Sequence, residues 1–325
     1  MMERIVQAIL AALGVPIVMA VYLAGVEWAL RRFSERTKRR IRPWLWLAPA
    51  LAFLFVFLVY PVLNTIYLSL MNADSTQFVG AANLTYIFTN SEIGVALRNN
   101  FLWLSFFIPL TVLLGLLMAV LTDRVPYERV AKAIMFLPMA ISFVAAGVIW
   151  KFMYDYRPPS VPQTGTVNVI WMGLIPTAQP QAWLVNPATN NLAIIFVAVW
   201  MFTGFCMVIL SAGLKGIPTE LLEAARVDGA SERQVFTHIT LPLLTPTIFV
   251  VATTMAISAL KIFDIVYVLT NGNFNTDVIA TRMYNELFSA RDLGHASAIA
   301  LVLLMATIPI MIVNIRNFRT RELTQ

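Results

Sequence analysis

The residues most open to a chemical reading lie in one polar stretch, Lys215 to Pro242, reading KGIPTELLEAARVDGASERQVFTHITLP. Glu220 and Glu223 bring carboxylates, Ala224 and Ala225 are small, and Gly229 suits a left-handed stop, so the stretch has a small, acidic tip to offer another protein. What this set offers is a docking contact, against the plainer alternative of a solvated connector. A second pair of charges, Lys261 and Asp264, lies at the end of an apolar run, where a charge is costly enough to imply a function or a partner. The bland alternative there is that the two side chains, three residues apart, pair with each other. The lone Cys206 is embedded in apolar sequence and allows neither an intrachain disulfide nor a cysteine metal site. His238 and His295 have no carboxylate or second His at ligand spacing and read as structural. No GxxxxGK[ST], HExxH or CxxC motif occurs, so neither ATP hydrolysis nor zinc chemistry finds its usual residues.

The elements that position these residues are membrane spans. Of 325 residues, 59% are hydrophobic and 12% charged, and the mean hydropathy is +0.76; a soluble domain carries roughly 25% charged residues. The apolar residues fall in runs of about 20, the length of helix that crosses the hydrocarbon core. Seven spans are expected: Ile5 to Leu30, Trp44 to Met71, Phe101 to Leu121, Ala131 to Tyr154, Leu192 to Leu214, Leu243 to Ile262 and His295 to Phe318. The fold class is therefore an all-α integral membrane protein.

Charge orients the spans. Arg31 to Arg42 carries seven positive charges against one negative, which the positive-inside rule places in the cytoplasm. Alternating from there, the cytoplasmic loops carry Arg124, Arg129, Lys132, Lys215, Arg226, Arg233, Arg316, Arg319 and Arg321. The external segment Asn72 to Leu97 would then have no Lys or Arg among its loop residues, and the long loop Asp155 to Asn191 only Arg157. The N-terminus is expected outside and the C-terminus inside a bacterial cytoplasmic membrane. The first run lacks a clear small-x-small cleavage site and ends in a cationic stop-transfer cluster, so it reads as a retained helix rather than a signal peptide. Trp44 and Trp46, and Trp150, Tyr154 and Tyr156, suit interfacial anchors. The proline-rich loop Asp155 to Asn191 is expected to be an irregular cap with one short helix near Val167 to Gly173.

Within the polar stretch, Pro218 suits a first helical turn and Gly229 a left-handed stop. Ser231 with Gln234 has the form of a capping box and starts a second helix with Val235, Phe236 and Ile239 as its apolar face. On the first helix Leu221, Leu222 and Ala225 are expected to face the bundle, with Glu220, Glu223 and Arg226 pointing away.

Glu223-Ala224-Ala225, three residues, Gly229, nine residues and Ile239-x-Leu241-Pro242 resembles the EAA loop of ABC importer permeases at every signature position. The resemblance implies a type I importer core, residues 44–325, preceded by an extra helix and cationic linker, residues 1–43. It implies that Pro218, Leu221, Leu222, Glu223, Ala224, Ala225, Asp228 and Gly229 form a coupling helix seated in a groove of a separate ATPase. The implied partners are a second permease subunit, two ATP-binding-cassette ATPases, an external solute-binding protein, and membrane lipid, without nucleic acid. The chain itself would bind no cofactor, ATP and Mg belonging to the ATPase, and would catalyse no covalent chemistry.

The resemblance runs over most of the chain from the second span onward and is closest to carbohydrate importers. Lys261 to Gly272 is similar to a segment of sugar permeases, and Tyr154 to Pro159 with Pro180 to Trp183 resembles α-glucoside permeases in particular. A sugar site needs aromatic faces for ring C–H surfaces and polar groups for hydroxyls. The fifth span offers Trp200, Met201, Phe202, Thr203 and Phe205, and the sixth offers Ser258, Lys261 and Asp264, spaced to share a face. By resemblance to maltose permeases, Met201, Phe202, Phe205, Ala259 and Ile262 line the site, although the polar amides of that pattern are here largely apolar. The alternatives are a permease for a polyol, glycerophosphate or polyamine, or an ion-coupled carrier, which would show inverted repeats and broken helices around an ion site.

Overall fold

A computed structural model describes residues 2–123 and 125–322, with the side chains of 2–13, Val15, Ile315 and 317–322 outside the description. Arg124, the side chains of Arg319 and Arg321, and those of the first part of the span expected from Ile5 therefore lie outside the described residues. The chain divides into two compact units, Met1–Thr65 and Ile66–Gln325.

In the first unit, α1 (Met2–Leu30) turns through Arg31 to Ser34 into α2 (Glu35–Leu68), which is continuous across residue 43. Most of the expected cationic linker is thus helical. Glu27 closes the hairpin, receiving Arg42 at 2.5 Å and the Trp46 indole N–H at 3.1 Å, while the Tyr22 hydroxyl donates to the Leu45 carbonyl at 2.7 Å.

The second unit is helical throughout its described residues apart from turns and one isolated bridge between Met71 and Phe78. After α3 (Ala82–Thr89), α4 (Ser91–Thr122) begins ten residues earlier than the expected span, because the Asn90 side chain caps it by accepting from the Glu92 and Ile93 N–H groups. The expected fourth span is two helices, α5 (Glu128–Ala140) and α6 (Phe143–Met153), bent by 96°. Pro138 has no N–H to donate, Ile141 is extended, and Ser142 restarts the helix by accepting from the Ala145 N–H at 3.1 Å. In the loop of residues 155–189, α7 (Thr166–Leu174) forms where a short helix was expected.

α8 (Asn190–Lys215) is the most enclosed element, packed on α4 and α5. Two glycines permit those crossings. A Cβ at Gly115 would stand 2.6 Å from the Cys206 Cβ, and one at Gly204 would run into the Met135 carbonyl oxygen and stand 2.8 Å from the Phe136 Cα. Met201, Cys206, Met207 and Leu210 of α8 join Trp103, Phe107 and Met255 in the core.

After α9 (Thr219–Val227) comes α10 (Glu232–Leu260), which stops at Leu260. Phe263, at φ −138° and ψ −64°, breaks the helix before α11 (Asp264–Thr270), which lies against α6. Ser258, Lys261 and Asp264 therefore do not share one helix face as their spacing implied. α12 (Ile279–Asn285) and α13 (Leu293–Glu322) complete the unit. Among the described residues, five helices, α2, α4, α8, α10 and α13 through Asn314, are long and apolar enough to cross a membrane, or six if the bent α5–α6 pair is one span. The described part of α1, Pro16–Leu30, is apolar but shorter.

Candidate functional site

The polar stretch folds as its residues dictate. Pro218 sits immediately before α9, and the helix ends in a Schellman arrangement: the Gly229 N–H donates to the Arg226 carbonyl and the Ala230 N–H to the Ala225 carbonyl, both at 3.0 Å. Gly229 has φ +85°, and no atom lies within 4 Å of where its Cβ would be. Ser231 and Gln234 form the reciprocal capping box that starts α10. Val235 is buried, and Phe236 and Ile239 are half-buried beneath it.

α9 rests on part of the face expected, with Leu222 and Ala225 half-buried but Leu221 48% exposed. Leu222 and Arg226, one turn apart, border a cavity of about 180 Å³ with Ile217, Val235 and Phe236. Arg226 turns back because the Gly229 turn brings Glu232 within reach, Nε to Oε1 at 2.7 Å. Ala225 is half-buried, whereas Leu221, Glu223, Ala224 and Asp228 are exposed and Val227 is 87% exposed. The outward face is thus an acidic and aliphatic strip, with Leu221, Ala224 and Val227 at three-residue spacing.

Along the membrane helices, the expected solute-lining residues are mostly inward. Met201, Phe202, Ala259 and Ile262 are buried in the chain's own core, and Trp200, Thr203 and Phe205 are half-buried. Phe202 meets Phe107 edge-on at 5.5 Å and stacks on Phe143 at 5.7 Å, beside the α5–α6 corner. The Thr203 and Ser258 hydroxyls donate to their own helices, at Val199 (2.6 Å) and Thr254 (3.0 Å). Lys261 is exposed and Asp264 half-buried; no ion pair joins them among the described residues, since the break at Phe263 turns them apart. Trp150 and Tyr154 are buried within the chain: Trp150 meets Trp200 at 5.6 Å, and the Tyr154 hydroxyl donates to the Ala193 carbonyl at 3.0 Å.

Residues 111–316 match the family described as "binding-protein-dependent transport system inner membrane component". The chain belongs to this family. The permease is 50% identical to the osmoprotective compounds uptake permease protein GgtC of Synechocystis sp., over 86% of its own length and 99% of that protein. It is 43% identical to the alpha-glucoside transport system permease protein AglF of Rhizobium meliloti, over 99% of each. A chain in the crystal structure of a bacterial ABC transporter involved in import of the polysaccharide alginate superposes with a TM-score of 0.71 at 25% identity, covering 88% of the permease and 99% of that chain. The resemblance drawn from the loop at Glu223 to Pro242 thus extends to the whole architecture.

The permease also holds two charged clusters that its sequence did not announce. Lys132 of α5 receives no solvent-side freedom: it contacts Asp123 at 2.5 Å, Glu128 at 2.6 Å and the Ser211 hydroxyl, and Glu128 also pairs with Lys215. This ties the ends of α4, α5 and α8 together where α8 leads into α9. A lysine opening an apolar run nine residues after an acid was the available signal. On the second cluster, Arg282 joins Glu92 and Glu286, and His295 stacks on Tyr86 at 3.7 Å with Nδ1 3.0 Å from Asp292. His295 does have a carboxylate at close spacing, Asp292 three residues before it, contrary to the expectation that none lay there. In the loop before α12, burial pushes the Asp277 carboxyl upward, opposed by Thr281, Arg282 and the Val278 N–H.

Proposed function

We propose that this permease is one half of the heterodimeric pore of an ABC importer that moves a carbohydrate of the α-glucoside class by alternating access. The single observation that carries the mechanism is α9: a short, firmly stopped helix whose outward strip is unpartnered and whose two ends continue into the spanning helices α8 and α10. Seated in an ATPase groove, Leu221, Glu223, Ala224, Val227 and Asp228 make the contact, and Leu222 and Arg226 hold the helix to the body. Pro218 and Gly229 fix its two ends. ATP-driven movement of α9 pulls on α8, and the Lys132 cluster carries α4 and α5 with it. Such a transition is a shift between states of a preformed pore, powered by chemistry in the partner ATPase, which holds ATP and Mg.

The substrate class rests on the likeness to AglF and on the aromatic supply of α6 and α8. The remaining partners are a second permease and an external solute-binding protein, and the orientation places α9 in the cytoplasm with the N-terminus outside. The test is ATP-dependent uptake of radiolabelled maltose by proteoliposomes holding the full complex and its binding protein. Uptake that requires ATP and competes with other α-glucosides supports the reading; uptake driven by an ion gradient without ATP overturns it. The likeness to GgtC favours a second reading, a polyol-like osmoprotective solute. Failure of α-glucosides to compete with such a solute would select it.

A further inference from the structure

Three stretches far apart in sequence converge on one open cavity. Tyr154 to Tyr156 follow α6, Ala182 to Val185 close the external loop, and Tyr267 to Phe274 span the end of α11 and its turn. The cavity they enclose measures about 730 Å³, within the range of roughly 300–1,000 Å³ typical of small-molecule sites. These are the same segments whose sequence resembles sugar permeases, and neither the coupling helix nor the membrane-facing residues account for them.

The lining is built rather than loose. Asn168, fully buried, binds the loop at four points: its amide donates to the Asp155 and Gln181 carbonyls at 3.1 and 3.0 Å, and its oxygen accepts from the Gln181 N–H at 2.9 Å and the Trp183 indole at 3.0 Å. Opposite, Asn271 and Gly272 adopt positive φ values of 52° and 75°, turning the chain back over the end of α11. Tyr267 is held by Phe263 and Tyr284 at ring distances of 5.1 and 5.2 Å.

Into this fixed frame the chain presents aromatic surface and unspent polar groups. Tyr156, Tyr267 and Phe274 are 43%, 37% and 50% exposed. The Lys151 ammonium, the Tyr156 hydroxyl and the Asn271 side-chain amide border the cavity with no hydrogen-bond or ionic partner among the described residues. Flat apolar rings with donors and an acceptor around them match a pyranose, whose C–H faces are apolar and whose rim is hydroxylated. An anionic or purely apolar solute would leave either the rings or the amide unused.

We infer that this cleft is an outer carbohydrate subsite, which holds a hexopyranosyl unit before it passes into the pore. Lys151 sits on the last turn of α6 and Tyr154 immediately follows it, and the first residue of α6, Phe143, stacks on Phe202. Eight residues of helix separate Phe143 from Lys151, about 12 Å, so the cleft and the aromatic residues at the corner are successive stations on one helix. The inference rests on the carbohydrate reading above.

The test uses the full complex in nanodiscs without binding protein, photolabelled by a diazirine derivative of maltose and mapped by mass spectrometry. Label is expected on residues 151–156, 182–185 or 267–274. Tyr156→Ala and Asn271→Gly, the latter keeping the positive φ accessible, are each expected to lower that labelling about tenfold, the loss of one ring or one amide contact. Ser160→Ala, away from the cleft, retains it. Label confined to other segments, or unchanged labelling in both variants, overturns the subsite. Variants that weaken binding-protein association while leaving labelling intact also overturn it, and assign the cleft to a protein segment. If the wild-type complex takes up maltose yet leaves the cleft unlabelled, only the subsite fails; if it takes up no α-glucoside with its binding protein, the substrate reading fails first.

Discussion

Replacing Gly229 separates the backbone role of the α9 stop from every packing effect. At φ +85° with open space around the missing Cβ, a substitution there meets no neighbour and changes only the cost of the turn. Placing an L-residue in left-handed conformation costs about 1–2 kcal/mol, a factor of about 5–30 between the formed and unformed turn. Asn tolerates that region better than Ala, and Val less well. Proline cannot reach the angle and also removes the N–H that bonds Arg226 at 3.0 Å. Uptake per ATP hydrolysed should therefore decline in the order Gly229→Asn, Gly229→Ala, Gly229→Val, Gly229→Pro. The last should uncouple hydrolysis from transport in proteoliposomes while the complex still inserts and assembles. Coupling unchanged by Gly229→Pro, or equal losses for Asn and Pro, would refute the claim that the left-handed stop makes α9 a stiff lever.

Asn168→Ala leaves two carbonyls, one N–H and one indole of the loop of residues 155–189 without their partner. At about 1–3 kcal/mol for a buried group left unsatisfied, residues 156–189 should open locally and become the first site of limited proteolysis. Gly204→Ala forces α8 from α5 at the Met135 carbonyl and should destabilise the complex by about 1–3 kcal/mol, read as a lower melting temperature in detergent. Asp277 has its pKa raised by burial, so its contribution to stability is present below the ordinary carboxylate value and is lost as pH rises through the raised one. Asp277→Asn should thus flatten the pH dependence of the melting temperature, gaining most against wild type at the upper end; a gain confined to low pH would reverse the sign and refute it.

Much of α9 and its flanking turns was legible because their signals are local. Gly229, Ser231 and Gln234 act on backbone groups within a few residues, and each does in the structure what its type dictates. The same holds for α7 between its proline-rich flanks. What escaped depended on partners distant in sequence. Pro138 was visible inside an apolar run, but Pro16, Pro49, Pro246 and Pro309 all lie inside continuous helices, so proline alone does not announce a corner. Trp150 carried the composition of an interfacial anchor, yet Phe196 and Trp200 of α8 enclose it. Periodicity puts Leu221 inward beside Leu222 and Ala225, yet Leu221 is 48% exposed, and the contact of Arg226 with Glu232 across the Gly229 turn depends on a residue outside the helix.

The right-angle corner between α5 and α6 has a consequence for solvation. Peptide groups near Ile141 leave the helical ladder there, and hydrocarbon tails offer them neither donor nor acceptor. Such a bend is stable only against other polypeptide or a water-filled space. Wherever the corner lies within the hydrocarbon depth, the side of the permease that carries it faces polypeptide or water and not lipid tails, a constraint that owes nothing to charge.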